Sequence, residues 1–243
     1  MRANARSATG VLLMLGILPI LAGLLACMPE YVPLGDPDRS RVNPAMTGVW
    51  HVNGDMEPFV GQFLYFQPWD KHTWSVTTVT LEVDPDALAA DGDDESPGYD
   101  LSNYDDLIRF LQDDTVDEED IELSVIVYKG WVTKLRGREF LIFEWRGLIN
   151  DTEDEAPYEP FFWMDFRVAG LSDNRIELQL INTEFEPLSD APQTRRGWEK
   201  VIRKHVDNPE LYYQETTVMQ RVDKDVEGLV GALIMYAFAR NNL

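Results

Sequence analysis

The sequence predicts a mainly β protein: a single antiparallel barrel of about eight strands with two or three accessory helices, preceded by a signal peptide and a tether. Two observations carry this. From Gly48 onward the chain breaks into short β-type runs, at 48–53, 62–67, 73–83, 122–134, 138–146, 161–169, 174–185 and 210–222. Several of them alternate apolar and polar residues with a period of two, the mark of a strand with one covered face. Turn dipeptides then separate consecutive runs, Arg136-Gly137 in one case and Asp173-Asn174 in another, as antiparallel hairpins require.

The individual elements follow from the same pattern. Ile176, Leu178 and Leu180 face one way while Arg175, Glu177 and Gln179 face the other. In 73–83, Trp74 and Val76 alternate, and Val79, Leu81 and Val83 resume after a slip of one residue. That slip predicts a β-bulge at Thr77-Thr78. Ser102-Asn103-Tyr104-Asp105 reads as a cap opening a short helix, with Leu107, Ile108 and Leu111 on one face. Residues 191–206 place Trp198, Val201, Ile202 and His205 at helical spacing, and Asn208-Pro209 ends that helix. A third helix, 226–240, carries Leu229, Leu233, Tyr236 and Ala237; two glycines weaken it, and it is expected to pack on the sheet. Residues 84–120 form an acidic insertion, and Asp151 to Glu159 a second acidic loop.

The N-terminus has its own signature. Arg2 and Arg6 precede an apolar run from Val11 to Leu25, which ends in Leu24-Leu25-Ala26-Cys27. A positive start, a short apolar stretch and a small residue before the cut make a secretory signal. The run is about 15 residues and is broken by Gly16, Pro19 and Gly23, whereas a spanning helix needs about 20. Leu24-Leu25-Ala26-Cys27 resembles the lipobox of bacterial lipoproteins. The resemblance implies cleavage before Cys27, diacylglycerol on its sulfur, and anchoring in the bacterial cell envelope. Met28 after the cysteine leans, by resemblance to enterobacterial sorting, towards the outer membrane. The division is then a signal peptide at 1–26, a lipidated tether at 27–46 and a barrel domain at 47–243. Pro29, Pro33, Pro37 and Pro44 give the tether its extended character.

Composition sets limits. Cys27 is the only cysteine, so no disulfide framework supports the exported domain. The chain carries 43 acidic and 21 basic residues, net −22; losing Arg2 and Arg6 with the signal takes it to −24. Such a balance argues against nucleic acid, whose binding rests on Lys and Arg at phosphates. It also argues against broad adhesion to anionic lipid. Membrane contact is expected through the lipid on Cys27.

Thr47-Gly48-Val49-Trp50 places Gly-x-Trp at the start of the first strand. This is similar to the opening motif of lipocalins, the eight-stranded calycin barrels. The resemblance implies that Trp50 packs at the closed end of the barrel beneath an Arg from the last strand, here Arg221. The helix at 191–206, ahead of the last strand, departs from standard lipocalins. In that respect the order of elements resembles small bacterial envelope lipoproteins. They share the Gly-x-Trp start, an early hairpin and a Lys-x-x-Gly-x-x-Phe hairpin, here Lys134-Leu135-Arg136-Gly137-Arg138-Glu139-Phe140.

Motifs for chemistry are sparse. His51, His72 and His205 are widely spaced and lack zinc-site spacing. Asp91-Gly92-Asp93-Asp94-Glu95 lacks the central Gly and distal Glu of a calcium loop and reads as a solvated acidic loop. There is no Gly-x-Ser-x-Gly and no phosphate loop. No cofactor, metal or catalytic group is therefore expected, and an enzyme is the least favoured class. The remaining signal is seven tryptophans. Core packing is their first reading. As the alternative, Trp74, Trp145, Phe162 and Trp163 are candidate contacts for a ligand or partner. The sequence thus points to a lipid-anchored envelope protein, a binding or interaction module, with a carrier of a small hydrophobic ligand as the alternative.

Overall fold

A computed structural model describes residues 33–53, 60–83, 99–112, 121–150 and 163–240. The expected signal peptide at 1–26, Cys27, Asp91–Glu95, Asp151–Glu159 and Phe162 lie outside the described residues. The fold is a closed antiparallel barrel with eight strands in sequential order. They are β1 (Gly48–Asn53), β2 (Val60–Pro68), β3 (Trp74–Val83), β4 (Ile121–Leu135), β5 (Arg138–Asn150), β6 (Trp163–Leu171), β7 (Arg175–Leu180) and β8 (Thr217–Arg221). β8 returns to β1 and pairs Arg221 with Trp50 and Met219 with Val52. The protein is mainly β and lipocalin-like in architecture. Its longer described helices are α1 (Tyr104–Leu111), α2 (Arg195–His205) and α3 (Lys224–Arg240).

Local chemistry explains the joints. The β4–β5 hairpin turns on Arg136 and Gly137, both at positive φ, 50° and 78°. Two such residues make the turn whose twist matches paired strands. Asn103 caps α1 by accepting from the Asp105 and Asp106 amides, and Thr194 caps α2 by accepting from Gly197.

The expected bulge at Thr77-Thr78 is corrected. β3 pairs without interruption from Trp74 to Val83 against β4, and against β2 as far as Glu82. The change in apolar phase has another cause. Trp74 and Val76 face the barrel interior, whereas Val79, Leu81 and Val83 face outward beneath Leu107, Phe110, Val226 and Val230 of α1 and α3. The covered side of the strand changes; the strand does not. The register shifts lie elsewhere. Arg146 is the extra residue between the pairs Val127–Gly147 and Tyr128–Trp145, and Ala169 between Val168–Leu178 and Gly170–Glu177.

Three apolar clusters result. One draws on all eight strands and lies inside the barrel, with Trp50, Phe66, Trp74, Phe143 and Met219 among its members. A second lies outside under α1 and α3. The third lies outside under α2, where Trp198 and Ile202 cover Trp131, Phe140 and Ile142.

The tether is also corrected in part. Residues 33–46 pack on the barrel as a strap. Leu34 is fully buried in the α2 cluster, and its carbonyl accepts from Trp131 Nε1 at 2.8 Å. Met46 is fully buried in the barrel floor. β4 runs past the start of β3, where the last pair is Trp74–Gly130. Ser40 takes over there: its Oγ donates to the Val132 carbonyl at 2.7 Å and accepts from the Val132 amide at 3.0 Å. Prolines pre-set the backbone of this strap without supplying strand partners, so composition alone resembled a tether.

Asp165 lies under the strap. It is buried on the outward side of β6, opposite Ile142. Its carboxyl accepts from the Leu34 amide, and Oδ1 has no partner among the described residues. Burial pushes its pKa from 3.8 up to about 8. The folded protein therefore holds this proton at neutral pH, where the unfolded chain has released it.

Two predictions follow from the strap. Ser40→Ala should lower stability by roughly 1–3 kcal/mol, because both Val132 backbone groups lose their partner; the urea midpoint measures it, and an unchanged midpoint would refute the pairing. Because Asp165 is raised above its unfolded value, stability should fall as pH rises from about 4 to about 8. The cost at pH 7 is on the order of 4 kcal/mol. Asp165→Asn should flatten that part of the stability–pH curve and raise the midpoint at pH 7.

Candidate ligand-binding lumen

The floor of the barrel is built around Arg221. Its guanidinium carbon stands 4.3 Å from the Trp50 ring centroid. Nη1 donates to the Thr47 carbonyl at 2.7 Å, Nη2 to Ala45 at 2.5 Å and Nε to Asp173 at 2.6 Å. Trp50 Nε1 in turn donates to the Met46 carbonyl at 2.8 Å. Gly48 makes this approach feasible. It sits at φ 118°, and a Cβ there would lie 2.8 Å from Arg221 Nη1. Both conditions favour glycine.

Above Trp50 an aromatic chain crosses the interior. Trp74 meets Phe66 at 6.3 Å, Phe66 meets Phe143 at 6.0 Å, and Phe143 meets both Tyr128 and Phe166 at 5.7 Å. Trp50, Phe66, Trp74 and Val76 are fully buried, so this half of the interior is filled.

The other half differs. Register places Gln62, Thr80, Ser124, Ile126, Tyr128 and Trp145 on the inward side, in line with Leu64, Val76 and Phe143. Each of them is only half-buried. Met164, Phe166 and Leu180 share that position and that exposure. These inward residues keep partial contact with solvent, so this half is less tightly filled than the floor around Trp50 and Trp74. Its walls differ in chemistry. β2, β3 and the first part of β4 present Gln62, Thr80 and Ser124, with Gln62 Nε2 donating to Thr80 Oγ1 at 3.1 Å. From Tyr128 round to β7 the wall is aromatic and aliphatic. Burial pushes the Tyr128 phenol above its usual pKa, so it remains a neutral hydroxyl. At the rim Glu82 and Glu122 oppose each other in register, and both are exposed.

The candidate contacts distribute unevenly. Trp145 lies on the open wall opposite Tyr128. Trp74 lies in the filled floor and does not line the opening. Trp163 begins β6 and pairs with Glu144. Reading the sequence missed Tyr128, Met164, Phe166, Leu180 and the polar wall. Their common signal is phase relative to Trp50, which passes from strand to strand only through the registers and through the extra residues Arg146 and Ala169.

The histidines stand apart. His51 is buried on the outward side of β1 against Phe63 and Tyr104, and burial lowers its pKa. His72 bonds the Ser40 carbonyl at 2.6 Å, and His205 packs on Phe185. Among the described residues no three His, Cys, Asp or Glu gather as a metal site. A second concavity, a groove of about 650 Å³, runs outside the barrel between the strap and the β4–β5 hairpin, lined by Arg39, Arg41, Lys134, Glu139 and Glu199 among others. No protein-family model matches this chain, and no curated protein or solved structure matches it at the threshold of significance.

Trp50→Ala should cost roughly 3–5 kcal/mol, since it removes the largest ring of the floor and the surface on which Arg221 rests. A shift in unfolding midpoint of that size checks it.

Proposed function

We propose that this chain is a lipid-anchored binding protein of the bacterial cell envelope whose open half-barrel holds a small amphipathic molecule. The half-buried inward wall of Tyr128, Trp145, Met164, Phe166 and Leu180 carries this reading. Concave apolar surface with a few placed polar groups is the usual form of a small-molecule site. Gln62, Thr80 and Ser124 on the facing wall would orient a polar end. The opposed Glu82 and Glu122 disfavour an anion at the entrance, so the ligand is neutral or cationic. Anchoring rests on Leu24-Leu25-Ala26-Cys27 and its resemblance to the lipobox. The proposal sharpens the broader expectation of an interaction module. A surface-acting module would not need a half-exposed apolar wall inside the barrel above a sealed floor.

The test uses the acylated protein extracted from membranes. Native mass spectrometry should show a co-purifying small molecule, and the neutral dye N-phenyl-1-naphthylamine should bind with enhanced emission. Trp145→Ala and Phe166→Ala should each weaken dye binding about tenfold, the loss of one aromatic contact. Trp69→Ala, at a ring 75% exposed outside the barrel, should leave it unchanged. A folded protein that binds no dye and carries no ligand would overturn the proposal.

A further inference from the structure

The chain is strongly acidic, with 43 acidic against 21 basic residues. α2 inverts that balance. Within Arg195–His205 lie Arg195, Arg196, Lys200, Arg203 and Lys204, against the single acid Glu199. Trp198 and Ile202 bury the opposite side of the helix, and all five cations are exposed. At 3.6 residues per turn, Arg196, Lys200, Arg203 and Lys204 fall on one stripe about 100° wide. Glu199 pairs with Arg203 at 2.8 Å, and Arg195 stands 3.9 Å from Asp36. Asp207, just beyond the helix, pairs with Arg138. Arg196, Lys200 and Lys204 have no ion pair among the described residues. Three cations in line, unpaired and exposed, are unusual in a chain of this charge.

A second observation concerns where the strap enters. Leu34 inserts beside Trp198 and Ile202, and the Gly35 amide donates to Glu199 Oε1 at 3.3 Å. The chain coming from Cys27 therefore meets the barrel next to α2. Seven Cα–Cα steps separate Cys27 from Leu34, a reach of at most about 25 Å. An anchor on that leash brings this side of the barrel nearest the bilayer.

We propose that the stripe Arg196, Lys200 and Lys204 docks on the anionic headgroups of the membrane that holds the anchor, and so orients the barrel with α2 against the lipid. The inference rests on the lipid-anchor reading. Charge complementarity is local, because a Debye length of about 8–10 Å screens acids more distant than that. Net charge alone thus hides the contact. Three cations near such a surface correspond to about 10²-fold in membrane affinity.

The experiment begins with the intact mass of the membrane-extracted protein, which reads cleavage and acylation at Cys27 directly. The acylated protein is then placed in nanodiscs of phosphatidylcholine, with and without phosphatidylglycerol. A water-soluble amine-acylating reagent reports each lysine by peptide mass spectrometry. Labelling of Lys200 and Lys204 should fall at least about fivefold with phosphatidylglycerol and recover in high salt, while Lys224, at the start of α3, should not change. Equal labelling in both discs would overturn the proposal. So would protection of Lys200 and Lys204 in whole envelopes but not in the discs, which would assign the stripe to a protein partner. A triple variant, Arg196→Gln, Lys200→Gln and Lys204→Gln, changes no buried group. It should keep its unfolding midpoint and lose the salt-sensitive hydrogen-exchange protection of α2 on anionic discs. If Cys27 proves unmodified, the anchor reading fails by itself. Co-sedimentation of that protein with phosphatidylglycerol vesicles then decides the docking: salt-reversible binding supports it, and none overturns it.

Discussion

The structure turns on a single cation. Arg221 lies on the Trp50 ring and donates to the carbonyls of Ala45, Thr47 and Asp173. Those groups belong to the strap, the entry to β1 and the β6–β7 turn, so one side chain ties three segments far apart in sequence. It also stands where β8 closes on β1, the seam that removes the sheet edges. A guanidinium suits this position, with several donors in a fixed plane and a face that stacks on a ring. Gly48 is the complementary requirement, since a side chain there would displace the guanidinium.

Sealing one end of the barrel has consequences for the other. The aromatic chain from Trp74 through Phe66 and Phe143 ends at Tyr128 and Phe166, and there the inward residues pass from fully buried to half-buried. Rigid aromatic packing below holds the open wall in place above. Outside, α1 and α3 cover one part of the sheet while α2 and the strap cover another. Both faces of β3, β4 and β5 are therefore apolar over part of their length. The chain uses its helices as external packing, which leaves the lumen free of them.

Charge is distributed with the same division of labour. Acids dominate the chain, yet the buried carboxyl of Asp165 is held protonated beneath the strap, where no ion pair among the described residues answers it. Cations collect on α2, on the side opposite its buried Trp198. The strap connects these features: Leu34 contacts the Asp165 carboxyl through its amide, the Trp131 indole through its carbonyl and the α2 cluster through its side chain.

Local information determined a good deal. Alternation of side chains placed the strands, because a strand with one covered face writes its period directly into the sequence, and β1 begins and ends where that pattern does. Arg136-Gly137 marked its turn through Gly137, since a positive-φ position favours glycine. The caps at Asn103 and Thr194 are likewise local hydrogen bonds. Tertiary structure alone decided the rest. Val79, Leu81 and Val83 looked displaced by a bulge, since a sequence shows that a side chain is covered and not by what. Trp74 and Trp145 are alike in type, yet one fills the floor and the other lines the opening, because that depends on height in the barrel. Residues 33–46 resembled a free tether, since Ser40 and Leu34 gain their partners only from β4, β6 and α2, some 90 to 160 positions away. Contacts at that distance leave no period in the chain, and only the closed barrel brings them together.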